Sequence, residues 1–137
     1  MRKPFALMLV CVLCTVLIGC GPSTKRLMGT WKLMYPEPRA GQKDIREDGS
    51  SPVKILADTH FAFGSMTASG MVFAGGGRYI LKGDKYIEMV DYHAIPKLVG
   101  KTLEFTCHID GNKWYHSGRF VVDGEEFAIE EIWLRVE

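Results

Sequence analysis

The sequence predicts an all-β chain, a small up-and-down antiparallel barrel of about eight strands behind an N-terminal export signal. Three observations carry this expectation. From residue 27 onward, short runs alternate apolar and polar residues, the period of a half-buried strand. Turn signals rich in Gly, Asp, Asn and Pro separate those runs at short spacing, the pattern of a closed barrel or sandwich. No stretch of this region reads as a convincing amphipathic helix. At 137 residues the chain is sized for one domain.

The first nineteen residues are unlike the rest. Arg2 and Lys3 precede a charge-free apolar run of 14 residues, FALMLVCVLCTVLI, which matches the hydrophobic region of a secretory signal. Crossing the hydrocarbon core takes roughly 20 apolar residues, so the run is too short for a transmembrane helix. It ends in Leu17-Ile18-Gly19-Cys20, which resembles the lipobox of bacterial lipoproteins. That resemblance implies cleavage before Cys20 and a diacylglycerol thioether on its sulfur. One acyl chain holds only marginally, whereas two or three give a stable anchor. Residues 1–19 are thus read as a lipoprotein signal peptide, 20–26 as a lipidated tether without helix or strand signals, and 27–137 as the barrel. No acidic residue directly follows Cys20, which points to a cell-envelope location in the outer membrane, facing the periplasm.

Arg2 and Lys3 leave with the signal, so of 17 basic and 16 acidic residues the mature chain keeps 15 bases against 16 acids, a formal charge of −1. This balance offers no pull toward nucleic acid. Of four cysteines, Cys11 and Cys14 leave with the signal and Cys20 is acylated. Cys107 then stands alone, and the core must hold without disulfides.

The elements follow in order. Residues 29–35 (GTWKLMY) form a first strand, stopped by Pro36. Residues 36–52 are polar and rich in Pro, Gly, Asp and Ser, a long loop. Strands are expected at 53–57, 59–66 and 70–74, followed by Gly75-Gly76-Gly77, a bend or bulge that lets a strand curve. Residues 78–82 and 85–92 flank Gly83-Asp84, a two-residue hairpin signal. That turn sets Lys82 opposite Lys85, Leu81 opposite Tyr86, Ile80 opposite Ile87 and Tyr79 opposite Glu88. One face then carries Tyr79, Leu81, Tyr86, Glu88, Val90 and Tyr92, and we read it as the interior. Residues 94–100 are expected to hold a helical turn started by Pro96. Residues 101–109 and 114–122 form a second hairpin around a four-residue loop, Asp110 to Lys113, with Ile109 opposite Trp114 and Cys107 opposite His116. A turn at Asp123-Gly124 leads to the last strand, 126–136. Its parity stays open, because Ile132 and Leu134 compete with Glu131 and Arg135 for the interior.

Gly29-Thr30-Trp31 at the start of the first strand and Arg135 near the end of the last one resemble the structural signature of the lipocalins and their calycin relatives. The resemblance implies that the Trp31 indole closes the barrel floor beneath the Arg135 guanidinium. A cation on an indole contributes about 0.5–2 kcal/mol. The phrases GTWKL, Asp58-Thr59-His60-Phe61, GGGRY, LVGKTLEFT, GNKWYHSG and IEEIWLRVE, spread over 27–137, resemble the lipocalin-like domains of unknown function in exported proteins of Bacteroides-type bacteria. That resemblance implies a cup-shaped barrel and no catalytic residue.

An eight-stranded barrel is just wide enough for packed side chains or one small ligand. The expected interior is polar for a dry core: Tyr79, Tyr86, Glu88, Tyr92, His116, Glu131 and Arg135, with Trp114 beside them. Buried charge must be paired. Either Glu88 and Glu131 pair with Arg119 or Arg135, or Tyr79, Tyr86, Glu88, Tyr92, Trp114, His116 and Glu131 form a cluster that meets a ligand. Four histidines lie on separate segments, and Cys107 with His116 supplies two donors where structural zinc takes four, so no metal and no cofactor is expected. No nucleophile elbow, HExxH or phosphate-cradling loop is present, so no enzyme is expected. The reading is a membrane-anchored lipoprotein whose barrel binds a small, partly apolar ligand at the cell envelope. The alternative is a protein-binding or structural envelope module with a packed barrel, its protein partner unknown.

Overall fold

A computed structural model describes residues 23–34 and 52–136, except for the side chains of Met71 and Val72. The signal segment, Cys20 and residues 36–51 of the long loop lie outside the described residues. The chain forms a closed antiparallel barrel in which each strand pairs with the next and β8 returns to β1. The strands are β1 (Gly29–Met34), β2 (Val53–Leu56), β3 (His60–Thr67), β4 (Gly70–Lys82), β5 (Lys85–His93), β6 (Thr102–Asp110), β7 (Lys113–Val122) and β8 (Glu125–Arg135). A 3-10 turn at Pro96–Leu98 starts at its proline, which supplies the fixed φ of a first helical position.

Both predicted hairpin registers hold. Tyr79 faces Glu88 and Leu81 faces Tyr86 across the Gly83-Asp84 turn, with Gly83 at φ 62°. Ile109 faces Trp114 and Cys107 faces His116. The connection between those two strands is shorter than expected, because Asp110 pairs with Lys113 and only Gly111-Asn112 remains in the turn. Shortening a loop by two residues leaves register and parity unchanged, so the facing pairs survive. The regular alternation of β6, with Leu103, Phe105, Cys107 and Ile109 buried between exposed neighbours, is that of a strand with one face in the core.

The bulge expected at the triple glycine is present, but the strands expected on either side of it, 70–74 and 78–82, are one. β4 runs unbroken through Gly75, Gly76 and Gly77, and the irregularity appears as a bulge against β5. Gly76 pairs with Tyr92 and Gly77 with Val90, so Asp91 is the extra residue. A bulge shifts side-chain parity by one. Tyr92, expected inside, therefore lies outside at 52 % exposure, and His93 takes the inward position.

The expectation of a featureless tether also changes. Thr24–Leu27 form one helical turn (α1), and Leu27 is fully buried. Its carbonyl accepts the Trp31 indole N–H at 2.8 Å. The Arg135 guanidinium lies 4.2 Å from the centre of the Trp31 ring and donates to the carbonyls of Met28, at 2.6 Å, and Arg26. Trp31 meets Trp114 edge-on at 5.6 Å. Aromatic packing, a stacked cation and three satisfied donors seal this end.

Candidate functional site

Sealing one end leaves the lumen to open toward the other, where the 3-10 turn, the β3–β4 turn and the β7–β8 turn lie. The lumen there holds a cavity of about 220 Å³. Its walls are apolar and include Leu33, Phe63, Leu98, Phe120, Phe127 and Ile129. Its polar groups are Lys54, Glu88, His116 and Glu131, with His93. At the mouth, Lys97 of the 3-10 turn pairs with Glu125 at the start of β8 and stands over the Phe127 ring. This links the β5–β6 connection to the opposite rim.

Lys54 is the residue that sequence reasoning missed. Alternation through the four residues of β2, VKIL, groups Val53 with Ile55 as the apolar face, so the pattern points Lys54 outward. Leu56 faces inward and carries Lys54 with it, while Ile55 is 54 % exposed. Lys54 Nζ reaches across the barrel from β2 to Glu88 Oε1 on β5, at 2.6 Å. The rings of Phe61, Tyr86 and Trp114 surround the ammonium at 5.1–5.2 Å. Quadrupole attraction and the facing carboxylate together offset the loss of hydration.

The second polar pair joins neighbouring strands. His116 on β7 sits opposite Glu131 on β8, and its Nδ1 lies 2.9 Å from Glu131 Oε2. The Trp133 indole N–H donates to the same oxygen at 2.9 Å. Odd-numbered residues of β8 therefore face inward, with Trp133 buried and Glu131 partly so, which settles the open parity. Burial, with the Lys54 charge added, holds the His116 pKa below the usual imidazole value despite Glu131. Burial alone would raise Glu131, but the His116 bond, the Lys54 charge and the Trp133 N–H outweigh it and hold the carboxyl low. A neutral imidazole beside a carboxylate donates through Nδ1 and leaves Nε2 as an acceptor. That Nε2 is buried and has no hydrogen-bond partner among the described residues.

The expected ion pairs with arginine do not form. Arg119 pairs with Glu126 on the outer face, and Arg135 serves the sealed end. Of the seven expected ligand-facing residues, Glu88, His116 and Glu131 line the cavity. Tyr79, Tyr86 and Trp114 are buried beneath it. Tyr79 donates its hydroxyl to the Ala57 carbonyl at 2.6 Å, and burial pushes its pKa up to about 12. The Tyr86 hydroxyl and Trp114 Nε1 are buried without a hydrogen-bond partner. Burial, then the neighbouring Glu88 charge, pushes the Tyr86 phenol well above its usual pKa. Tyr92 lines a shallow outer concavity of about 280 Å³ with Ile55 and His60, where no buried polar groups converge. The Cys107 thiol is pushed up to about 11 by burial and packs as an apolar group. No three His, Cys, Asp or Glu side chains gather as metal ligands among the described residues.

A family model described as a domain of unknown function, DUF4488, matches residues 26–137. The match and the closed eight-stranded barrel fit a lipocalin-like domain of unknown function. Neither the curated proteins nor the solved structures contain a match.

Proposed function

The chain belongs to the DUF4488 family of domains of unknown function, and from that premise we propose that its barrel binds a small, partly apolar ligand while Cys20 holds it to a membrane of the cell envelope. One observation carries the reading. An apolar cavity of about 220 Å³ converges on Lys54, Glu88, His116 and Glu131, and His116 Nε2 lacks a partner. Apolar walls with a few placed polar groups are what small-molecule sites require. A dry cavity of about 150 Å³ holds benzene, so this one suits about nine non-hydrogen atoms. Native mass spectrometry of the chain purified from its own host tests the reading. A stoichiometric adduct that is lost on denaturation is expected. An unadorned mass that persists after incubation with an envelope lipid extract would favour a protein-binding module.

The membrane anchor rests on the lipobox-like Leu17-Ile18-Gly19-Cys20 at the end of the apolar run. α1 begins at Thr24, so residues 21–23 would separate the lipid from the sealed end of the barrel. The cavity mouth, at the opposite end, would face away from the membrane.

A further inference from the structure

Among the groups lining the cavity, Lys54 carries a positive charge already matched by Glu88 at 2.6 Å. His116 and His93 are both held toward their neutral forms, chiefly by burial. Glu131 is held toward its ionised form. The cavity thus presents one ammonium against two carboxylates and carries one uncompensated negative charge. Both hydrogen bonds to Glu131 end on Oε2, so Oε1 has no protein donor among the described residues. His116, itself 2 % exposed, is among the lining residues, and its unpartnered Nε2 is itself fully buried. The Glu131 carboxylate, with one oxygen free of protein donors among the described residues, meets an apolar and aromatic wall.

Resting on the ligand-binding reading above, we propose that the barrel takes a small primary amine with an aromatic or alkyl body. Its ammonium pairs with Glu131 through Oε1, and its apolar body fills the space among Phe63, Leu98, Phe127 and Ile129. An anion would bring a third negative charge to Glu88 and Glu131 and would have to displace Glu88 from Lys54. A neutral alcohol can donate to Oε1 but leaves the Glu131 charge unmatched. Aromatic faces attract an organic cation as well.

The test uses three probes of matched shape, 2-phenylethylamine, 2-phenylethanol and phenylacetate, titrated calorimetrically against the purified chain. The amine is expected to bind at one site, at least ten-fold tighter than the alcohol, with no measurable binding of phenylacetate. In Glu131→Gln, whose amide oxygen still accepts from His116 and Trp133, the preference for amine over alcohol should disappear. Near-UV circular dichroism checks that this variant is folded. The 15N resonance of His116 Nδ1, which bonds Glu131, should also shift on amine binding to the wild type, a readout that needs no variant. Alcohol or phenylacetate binding as tightly as the amine would overturn the amine assignment and leave the ligand-binding reading standing. Absence of binding by every probe would also overturn it, and the host-derived adduct would then decide the broader reading separately.

Discussion

Lys54 Nζ lies 2.6 Å from Glu88 Oε1 across the barrel lumen, and the two side chains are only 4 % and 7 % exposed. One strand pair cannot make this contact, because β2 and β5 are not neighbours. The pair therefore fastens opposite walls of the barrel. It also provides the one buried cation among the described residues, whose charge helps to keep His116 neutral and Glu131 ionised.

Breaking the pair from one side should be severe. Lys54→Met or Glu88→Leu strands the other charge in the interior, and each is expected to cost about 3–5 kcal/mol. The double variant Lys54→Met/Glu88→Leu should recover most of that loss, since two well-sized apolar groups remove both desolvation costs. Urea unfolding of the three variants checks this. Additive losses in the double variant would mean that the pair acts through something other than mutual charge compensation.

Arg135 tests the sealed end. Its guanidinium stacks on Trp31 at 4.2 Å and donates to the Met28 and Arg26 carbonyls. Arg135→Lys keeps the charge and loses the planar fork, so it should still cost about 1–3 kcal/mol. Amide exchange should show where. Protection at Met28, whose N–H bonds the Thr24 carbonyl, should fall before that of β6 and β7. Uniform loosening of the barrel would argue that Arg135 is a general rather than a local fastening.

Much of this architecture was legible beforehand, and the exceptions have physical causes. Gly83-Asp84 announces a two-residue turn, and a fixed turn fixes every facing pair back to Tyr79 and Glu88. Gly29-Thr30-Trp31 and Arg135 mark the sealed end because that stack needs those side-chain shapes. Tyr92 went to the wrong face because a bulge inverts parity, and a run of three glycines does not say which partner residue it will displace. Lys54 was hidden because alternation in its four-residue strand makes Val53 and Ile55 the apolar face, whereas the buried face carries Lys54 and Leu56. Its role depends on Glu88, 34 positions away. The cavity itself follows from which strands meet around the lumen, a property that no local pattern contains.

Gly77→Ala probes the bulge. A Cβ at Gly77 would fall onto the Met89 carbonyl oxygen and lie 2.8 Å from the Asp91 amide nitrogen, both backbone atoms of β5. Neither can turn aside as a flexible side chain could. The β4–β5 pairing must open locally, and the expected cost is about 2–4 kcal/mol in thermal or urea unfolding. Gly83→Ala sits at a turn with open space but at φ 62°, so it should cost less, about 1 kcal/mol. Equal losses at the two sites would argue against a steric role for Gly77.

The proposed lipid anchor has a direct test. In a bacterial host that processes lipoproteins, Cys20→Ser should abolish labelling by radioactive palmitate and move the chain from the membrane fraction to the soluble one. Retention in the membrane fraction, with the label lost, would point to attachment through the uncleaved apolar segment or through a protein.

Acid should weaken the fold in two steps. Burial and the Lys54 charge lower the folded-state pKa of His116 below its usual 6.5. Between the two values the unfolded chain binds a proton that the folded chain refuses, so stability rises with pH there and falls as acid is added. The first loss therefore begins near pH 6.5 and ends once pH drops below the folded value. His93 is shifted the same way by burial and adds to the same window. Glu131 is held below its usual 4.5, chiefly by His116 against the opposing effect of burial, so its contribution is intact above that value. It is lost as pH falls below 4.5 toward the folded pKa, forming the second step. Urea midpoints measured from pH 8 to pH 3.5 should show both steps. Asn at position 116 keeps a donor for Glu131 but does not titrate, so His116→Asn should shrink the first step to the part that His93 contributes while retaining the second. A wild-type profile that is level between pH 6.5 and 5 would mean that His116 titrates alike in the folded and unfolded chains. Burial would then not hold the His116 imidazole below its usual value.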